Sequence, residues 1–364
     1  MNTMRHILRP LFILILAIFT GAGFVQASEE PEQASHSEGF NAGKFVMEHV
    51  SDAFEWHIAT VGETHISIPL PIILYSSDKG WNVFMSSRFH HGHEPYNGFR
   101  IEGEGKNEGK IVELKDNGEV MEKLPIDLSI TKTVAGIFVG VIVLLLIFLS
   151  IAKSAKKRIN QAPSGLQNLL EPVILFIRDD VAKPAIGEKR YEKFLPFLLT
   201  VFFFILINNL LGLIPVFPFG ANVTGNIAVT LVLAFFTFIV TTFNTNKHYW
   251  KEIYNPDVPW WLKFPIPLMP IVELTGVITK PFVLMVRLFA NMMAGHLIVT
   301  VFVSLIFIFA NLMGVEAGLG VSVVSVLFSV FMLLLDILVS FIQAYVFTLL
   351  SALYFGMASP EEHH

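Results

Sequence analysis

Four ionisable side chains lie within one apolar stretch, residues 273–296, which reads ELTGVITKPFVLMVRLFANMMAGH. They are Glu273, Lys280, Arg287 and His296. A charged group at the centre of a bilayer costs about 3 kcal/mol by insertion scales, so such groups are retained mainly where they move ions or protons. The stretch therefore predicts a membrane helix that carries proton or ion chemistry.

The spacing of these groups divides them between two faces of the predicted helix. Glu273, Lys280 and Arg287 are seven residues apart, which is two helical turns, so they share one face. His296 follows Arg287 by nine residues, which places it on the opposite face and roughly 13 Å farther along the axis. Two charged faces on one helix predict two separate polar environments.

The last apolar segment supplies a possible partner for His296. Asp336 is its only ionisable residue between Glu316 and the tail, and Gln343 follows seven residues later on the same face. If the two last segments form an antiparallel hairpin, His296 and Asp336 lie at similar depth. A buried carboxyl facing an imidazole can pass a proton near neutral pH, with Asn291 and Gln343 binding water between them.

Arg287 requires a partner of its own. Its guanidinium stays protonated in proteins and so does not relay protons. Glu273 is about 21 Å away along a straight helix, which is too far to pair. We therefore expect the carboxylate that faces Arg287 to lie on another chain.

Structural alternatives exist for the other polar groups. An intramembrane His296 could serve as a hydrogen bond between helices, and Asn208, Asn209 and Gln343 could be packing groups. Glu273 and Lys280 could be interfacial, since a long side chain such as lysine extends toward the membrane surface.

Composition agrees with a membrane protein. Of 364 residues, 53% are hydrophobic and only 15% are charged, against about 25% charged in a soluble domain. The absence of cysteine excludes disulfides and thiolate metal sites. There is no phosphate-binding loop, and basic residues are not clustered with aromatic ones, so we expect no cofactor, no metal and no nucleic acid partner.

The N-terminus has the pattern of a signal peptide, residues 1–27. Arg5 and Arg9 precede an apolar run at residues 11–19, and a small-residue cleavage site ends at Ala27. A short membrane anchor is the alternative, although nine apolar residues fall short of the ~20 needed to span. Either way, the segment that follows is exported.

Residues 28–131 form the predicted exported region, which we expect to be small and β-rich or irregular, with disorder over residues 28–43. A turn is predicted at residues 116–118. A metal site at His90, His91 and His93 is one interpretation of this region, and an exposed polar loop is the other. The predicted strands are Phe54–Val61, His65–Leu70, Trp81–Met85, Phe99–Glu102 and Lys110–Leu114.

Residues 132–364 form the predicted membrane domain, an all-α polytopic fold. Leu166–Ile177 is predicted to be a short amphipathic helix at the membrane surface, bounded by Arg178–Asp180. The last two spans would be about 60 and 55 Å long against a ~30 Å hydrocarbon core, so they must tilt, bend or break. We expect them to form a hairpin around a turn at Asn311–Gly320, with bends possible at Pro281 and Gly295. The five predicted membrane segments are 133–152, 194–213, 226–243, 270–310 and 321–357.

Basic residues fix the predicted orientation. The loop after the first span holds nine Lys and Arg and the loop after the third holds three, whereas the loops after the second and fourth hold none. Basic loops stay in the cytoplasm. The N-terminus is therefore expected outside and the C-terminus inside, in a bacterial inner membrane.

The run Arg287–His296, RLFANMMAGH, resembles the signature of subunit a of F-type ATP synthases, R-L-F-x-N-x-x-A-G-[EH]. The resemblance covers about residues 130–362. It extends to Thr279–Pro281, to Asn208–Pro215 (NNLLGLIP), and to the closing segments Gln343–Phe347 and Met357–Ser359.

The resemblance implies a stator subunit beside a rotating ring of c subunits, with two offset half-channels for protons. The chain would also contact the b subunits of the peripheral stalk and membrane lipid. It would be a part of the proton-transporting two-sector ATPase, without catalysis of its own.

The resemblance also implies residue roles. Arg287 matches the arginine that faces the ring carboxylates. His296 and Asp336 match two polar positions of the outer half-channel that carry Glu and His in some members, so they resemble a compensated swap, and His296 favours H⁺ over Na⁺. Asn291 and Gln343 match neighbouring polar positions, and Glu273 matches a carboxylate of the cytoplasmic half-channel.

Two departures and two alternative functions accompany this interpretation. Gly212 stands where some members carry Asp, and many members lack residues 28–131. A secondary transporter could use the same ionisable groups, although such proteins usually show internal repeats and none is visible here. The chain could also be an envelope protein whose exported region is functional and whose spans only anchor it.

Overall fold

Short alternating strands precede residue 131 and long apolar helices follow it. The computed structural model describes residues 51–61, 64–92, 94–103, 107, 109–115, 118–157, 162–214, 216–245, 247–254 and 268–358. The predicted signal peptide and the segment predicted to be disordered lie outside the described residues. So do His93 and two of the predicted turn residues, Asp116 and Asn117.

The N-terminal β region, which we define as residues 51–131, consists of antiparallel strands. β1 pairs with β2, β5 pairs with β6, and a three-stranded sheet has the order β4-β3-β7. Ile72 and Leu74 of β3 are buried on one face of that sheet, against Phe89 and Phe99. The strands are β1 (Glu55–Val61), β2 (Thr64–Pro69), β3 (Pro71–Ser76), β4 (Gly80–Met85), β5 (Phe99–Ile101), β6 (Ile111–Glu113) and β7 (Ile126–Asp127).

The sequence pattern missed the central strand of this sheet. β3 begins at Pro71, directly after Pro69 and Leu70, and proline normally ends a strand. Here Pro71 is the first residue of the strand, where no ladder donor is needed. The described residues on either side of the predicted turn are hydrogen-bonded to each other, since Gly118 N donates to Lys115 O and Lys115 N donates to Glu119 O.

Most of the remaining described chain is helical. The helices are α1 (Lys132–Lys157), α2 (Leu166–Phe176), α3 (Lys183–Ile186), α4 (Tyr191–Gly212), α5 (Ile227–Phe243), α6 (Lys247–Tyr254), α7 (Leu268–Met313) and α8 (Val315–Ala358). A wide π-helical turn, Ile177–Ala182, joins α2 to α3.

Among the described residues, α1, α4, α7 and α8 are long and apolar enough to cross a membrane. α5 has 17 residues, or about 25 Å, which is the lower limit for a span. α4 lies at the centre of the helical core. Its Leu198, Phe202 and Ile205 are fully buried and pack in one cluster with Leu288 of α7 and Phe347 of α8.

The predicted short helix Leu166–Ile177 corresponds to α2, which ends at Phe176 with Ile177 as its C-cap. The π-helical turn and α3 then continue the helical path to Ile186, which the sequence did not predict. The charged residues Arg178–Asp180 do not end the helical path. Arg178 and Lys183 both pair with Asp179 on the more exposed side of the helical segment, so these charges are accommodated there. This pairing holds the pKa of Asp179 well below its usual range. The other side, with Val181 and Ile186, is buried.

α7 and α8 run antiparallel and are separated by a single residue. Gly314 has a φ of 92°, a left-handed conformation that glycine adopts without strain. The predicted turn at Asn311–Gly320 is therefore too long, and Glu316 lies inside the first turn of α8. Side-chain contacts follow the pair along its length, from the stacked rings of Phe302 and Phe328 to Lys280 near Tyr354.

Neither predicted bend interrupts α7, whose helical assignment is continuous through Pro281 and Gly295. At about 69 Å, α7 exceeds the thickness of a hydrocarbon core by a factor of roughly two. A helix of this length crosses a membrane only if it is strongly tilted or extends beyond it.

A close approach at the end of α8 gives a stability prediction. A β-carbon at Gly356 would collide with the backbone carbonyl of Ala185 in α3, whereas a β-carbon at Gly320 of the same helix meets nothing within 4 Å. We expect Gly356→Ala to destabilise the protein by about 1–3 kcal/mol and Gly320→Ala to be neutral or slightly stabilising. Thermal unfolding in detergent measures both, and equal midpoints would contradict this packing.

Candidate functional site

Asp336 lies buried at the interface of the two long helices. Its residue is 7% exposed, and its carboxyl is placed against Gly295 of α7, where a β-carbon would lie 2.6 Å from Asp336 Oδ1. The other oxygen, Oδ2, is buried without a hydrogen-bond partner among the described residues. A side chain at position 295 would displace this carboxyl, so the absence of one at Gly295 admits the carboxyl to the surface of α7.

His296 follows Gly295 and faces a third helix. A β-carbon at Gly212, the last residue of α4, would lie 3.6 Å from His296 Nε2. That nitrogen is also buried and unpaired within the described part of the chain. His296 and Asp336 are therefore at the same level, as predicted, but they face different elements. No hydrogen bond joins them in the described structure, in which His296 Nε2 and Asp336 Oδ2 both lack a partner. The relay through water that the sequence predicts therefore stays a prediction.

Two amides of α4 extend this polar group. Asn209 is 2% exposed, and its Oδ1 accepts a hydrogen bond from the hydroxyl of Thr224, while its Nδ2 is unpaired within the described structure. Asn208 donates to Phe204 O at 2.8 Å and lies in close contact with Gly140 of α1. Asn208 thus has the packing role that the sequence allowed, whereas Asn209 belongs to the polar cluster.

The buried atoms near this level that lack a partner among the described residues have one common implication. They are Asn208 Oδ1, Asn209 Nδ2, His296 Nε2 and Asp336 Oδ2. Buried polar atoms in native proteins are almost always hydrogen-bonded, either to protein or to ordered water. Three of these atoms, on Asn209, His296 and Asp336, lie between α4, α7 and α8 and therefore indicate a place where water enters the helical core, whereas Asn208 Oδ1 lies against Gly140 of α1.

The two remaining amides predicted near this pair lie in different places. Gln343 is 6% exposed and lies two turns beyond Asp336 on the buried side of α8. Asn291 is exposed, one turn past Arg287. Its expected position between His296 and Asp336 is therefore not found, because α7 turns this residue outward with Arg287.

Arg287 lies on the outer face of α7. It is exposed, and no hydrogen bond or ion pair joins it to another described residue. The opposite face of the same turns is buried, with Leu284 and Leu288 each 1% exposed. The exposed face has small residues beside Arg287, namely Ala290 and Ala294. A small-residue surface lets a neighbouring helix approach closely.

Glu273 and Lys280 lie near the other end of α7. Both are half-buried. Burial and the nearby charge of Glu273 raise the pKa of Tyr249 in α6, so these two groups are close. The ammonium of Lys280 lies 5.9 Å from the ring centre of Tyr354 in α8. Lys280, Tyr249 and Tyr354 line one crevice, which is also lined by Thr241, Thr245, Trp250 and Pro281.

Sequence reasoning missed three of these polar residues: Thr224, Tyr249 and Tyr354. Each of these residues carries a hydroxyl and lies within or beside an apolar run. The composition of the surrounding sequence therefore does not mark it as a functional residue. The position of Thr224 could have been predicted, because it lies in the loop after the break that ends α4. A loop at this place can fold back over the end of the helix. The partners of Tyr249 and Tyr354 depend on how α6 and α8 pack, which periodicity does not specify.

His90, the member of the predicted histidine cluster whose side chain is described, lies beside a carboxylate. His90 Nε2 lies 3.7 Å from Glu94 Oε2, and both side chains are largely exposed. Within the described residues there is no group of three potential metal ligands; His93 lies outside them.

Comparison with known proteins relates both parts of the chain to others. A family model described as ATP synthase A chain matches residues 134–356, and a domain family of unknown function matches residues 45–131. The chain is 48% identical over 244 residues to ATP synthase subunit a 2 of Chlorobaculum tepidum, covering 66% of each chain. It is 45% identical over 246 residues to ATP synthase subunit a of Chloroherpeton thalassium, covering 65% of this chain and 69% of the relative.

One relative matches almost from end to end. ATP synthase subunit a 2 of Prosthecochloris aestuarii is 37% identical over 372 residues, which cover 97% of this chain and 94% of that protein. The family model covers more than half of the present chain. The chain therefore belongs to the ATP synthase A chain family.

Proposed function

We propose that this chain is the proton-channel stator subunit of an F-type ATP synthase, in which two half-channels open on opposite sides of the membrane and meet near Arg287. The observation that carries the proposal is the exposed side chain of Arg287, which lies beside the small residues Ala290 and Ala294 and has no partner among the described residues. A fixed charge at bilayer depth needs a carboxylate. A rotating ring of c subunits supplies that carboxylate from outside the chain.

The outer half-channel is formed by the cluster around His296. Its groups are His296, Asp336, Asn209 and Gln343, and the buried polar atoms at this level lack partners within the described structure. No hydrogen bond joins His296 to Asp336 within the described structure, so water bound between α4, α7 and α8 carries the proton from one to the other. An imidazole suits this role because its ordinary pKa lies near neutrality, and a carboxyl suits it because it can accept a proton from water and pass it on.

The inner half-channel is the crevice near the start of α7. Lys280 lines it from α7 and Tyr354 lines it from α8, and Glu273 lies close to Tyr249 of the same crevice. Glu273 lies about 21 Å from Arg287 along the helix axis, and His296 lies roughly 13 Å on the other side of Arg287. The two openings are thus offset along α7, with Arg287 between them.

A proton path follows from this arrangement. A proton enters from outside past His296 and Asp336 and reaches a ring carboxylate. The neutral carboxyl then moves into lipid, and after nearly a full rotation it reaches the crevice, where Glu273 and water accept the proton. Arg287 pairs with the deprotonated carboxylate and keeps the two channels separate, because a permanent cation repels protonated water. The chain itself makes and breaks no phosphate bond.

The proposal includes the topology of the subunit. The five helices α1, α4, α5, α7 and α8 cross the membrane, with the N-terminal β region outside and the end of α8 in the cytoplasm. Two observations support this assignment. The predicted inner loops carry twelve Lys and Arg and the outer loops carry none, and the start of α4 meets the end of α5 through Lys193 Nζ and Asn244 Oδ1 at 2.6 Å. A bacterial inner membrane, a removed signal peptide and b subunits as further partners belong to the same proposal.

The surface beside Arg287 gives a direct test. The chain contains no cysteine, so single thiols can be introduced without background from this subunit. We expect Ala294→Cys to form a disulfide with a cysteine placed near the ring carboxylate, because Ala294 is exposed two turns from Arg287. Leu146→Cys is the matched control, since Leu146 is 65% exposed but lies on α1.

The outcome separates the proposal from a secondary transporter. A transporter binds its ion within one chain and would not purify with a ring of small hydrophobic subunits. Cross-linking of both cysteines or of neither would contradict the assignment of the Arg287 face to the ring.

A further inference from the structure

The N-terminal β region holds one loop of the membrane domain, residues 216–226 between α4 and α5. Trp56 of β1 is 4% exposed and packs in one cluster with Ala221 and Val223 of this loop. Its ring also meets Phe217 edge to face, with centroids 5.4 Å apart. A buried tryptophan contributes a large contact area, so this contact is a substantial attachment.

The same region is bonded to the start of α1. Asp52 Oδ1 accepts hydrogen bonds from Ala53 N at 3.0 Å and from Thr133 N at 2.9 Å, and Lys132 N donates to Ala53 O at 2.8 Å. An aspartate at this place caps the first turn of a helix, which is typically worth about 1 kcal/mol. These hydrogen bonds therefore join the N-terminal β region to the first turn of α1.

The loop is closed from the other side by α1. A β-carbon at Gly136 would lie 2.6 Å from Ala221 Cβ and 3.0 Å from Val223 Cγ2. Ala221 and Val223 are thus clamped between Trp56 and the surface of α1, which leaves the loop little freedom to move.

The inner side of this clamped loop forms a wall of the His296 cluster. A β-carbon at Gly212 would lie 3.1 Å from Ala221 O and 3.6 Å from His296 Nε2. Thr224 donates to Asn209, and Gly220 N donates to Leu211 O at 3.0 Å. Ala221 therefore touches Trp56 on one side and lies next to the surroundings of His296 on the other.

We propose that the N-terminal β region is a positioning element of the proton inlet, in which Trp56 presses residues 216–226 against Gly212 and so sets the water access and polar surroundings of His296. This inference rests on the proposed function, because it assigns His296 to the inlet. It gives a role to residues 51–131, whose family match is to a domain of unknown function. Trp56 touches no proton-carrying group among the described residues, so it acts through the loop.

The experiment compares the complete, assembled enzyme with three variants. Trp56→Ala removes the contact, and Trp56→Phe keeps an aromatic ring against Phe217. Trp81→Ala is the matched control, because Trp81 is 64% exposed on the same region and pairs only with Tyr75 among the described rings. Each is combined with Val223→Cys, since Val223 is 2% exposed behind Trp56.

Two measurements are made on each variant. The first is the rate at which a membrane-impermeant maleimide modifies the thiol introduced at position 223 from the outer side. We expect Trp56→Ala to raise this labelling rate by about tenfold, because water and the reagent then reach the thiol.

The second measurement is the rate of proton-driven ATP synthesis as a function of the outer pH. Water admitted beside His296 eases its protonation, so we expect the half-maximal rate to move to higher pH by about half a unit. The charged groups near His296 are Asp336 of α8, whose carboxyl lies against the preceding Gly295, and Lys132 of α1, and neither is substituted in these variants.

The outcomes are distinct. The parent enzyme is the one that carries Val223→Cys alone. Trp56→Phe and Trp81→Ala should both behave as this parent enzyme. Parental labelling and an unshifted pH profile in Trp56→Ala would overturn the inference, as would faster labelling with an unshifted profile, since that result describes a purely structural contact. If Trp56→Ala does not assemble, the pH profile of Trp56→Leu decides in the same way. Labelling requires no proton transport, so failure of the proposed function would appear separately, as a parent enzyme without proton-driven synthesis.

Discussion

Replacing Arg287 with alanine is expected to abolish proton-driven ATP synthesis while the complex still assembles. A cation about 4 Å from a carboxylate favours the deprotonated form by roughly 4 kcal/mol at the dielectric of a protein surface. In the proposed proton path, a ring carboxylate without this cation stays protonated as it passes the subunit, and no proton is released. A loss of even 3 kcal/mol corresponds to a decrease in rate of roughly 100-fold.

Assembly should survive because Arg287 supports nothing within the described part of its own chain. The side chain is exposed and makes no hydrogen bond or ion pair with the described residues, so truncation leaves no buried group unpaired. Its helix is held by the opposite face, through Leu284, Leu288 and Met292. A variant that loses function but keeps its place in the complex separates transport from folding.

The measurement is ATP-driven acidification of inverted membrane vesicles, with the amount of assembled complex determined in parallel. Lys153→Ala is the control, since it removes an exposed cation at the far end of α1. Arg287→Lys keeps the charge but loses the planar fork and should be severely impaired. Normal proton pumping by Arg287→Ala would exclude the role proposed for this residue.

The helices of this protein were largely predictable because lipid leaves an isolated apolar segment only one way to satisfy its backbone. The predicted span at residues 226–243 appears as Ile227–Phe243, capped by Asn226. Turns were harder, because a single glycine can reverse a chain. Gly314 alone separates α7 from α8, and nothing in the composition of residues 311–320 distinguishes it from Gly318 or Gly320.

The depth of the candidate site's residues along the helices could be predicted from the sequence, but the groups that their side chains contact could not. Helical spacing placed His296 and Asp336 at similar depth, and Asp336 does lie against the residue before His296. Which group each side chain faces depends on the rotation of the neighbouring helix, and that rotation is set by small residues. Gly295 admits Asp336 to α7, and Gly212 leaves His296 facing α4. Periodicity along one chain does not contain that information.

The second large effect is expected at Asp336. Asp336→Ala should slow proton translocation by about tenfold or more, because a positioned acid–base group typically contributes at least that much to a proton transfer. Gln343→Ala should slow it only about two- to threefold, since water can replace an amide that only binds water. Both residues are buried to a similar degree, 7% and 6% exposed, so the comparison holds burial constant and changes only the ability to titrate.

Asp336→Asn makes the comparison sharper. It preserves the shape of the side chain that fits against Gly295 but removes the proton exchange, so it should resemble Asp336→Ala in rate and the parent enzyme in stability. Initial rates of proton uptake at a fixed membrane potential, measured on assembled complexes, test the three variants together. Wild-type rates in both Asp336→Asn and Gln343→Ala would show that the carboxyl only packs, and the outer path would then have to run through His296 and water alone.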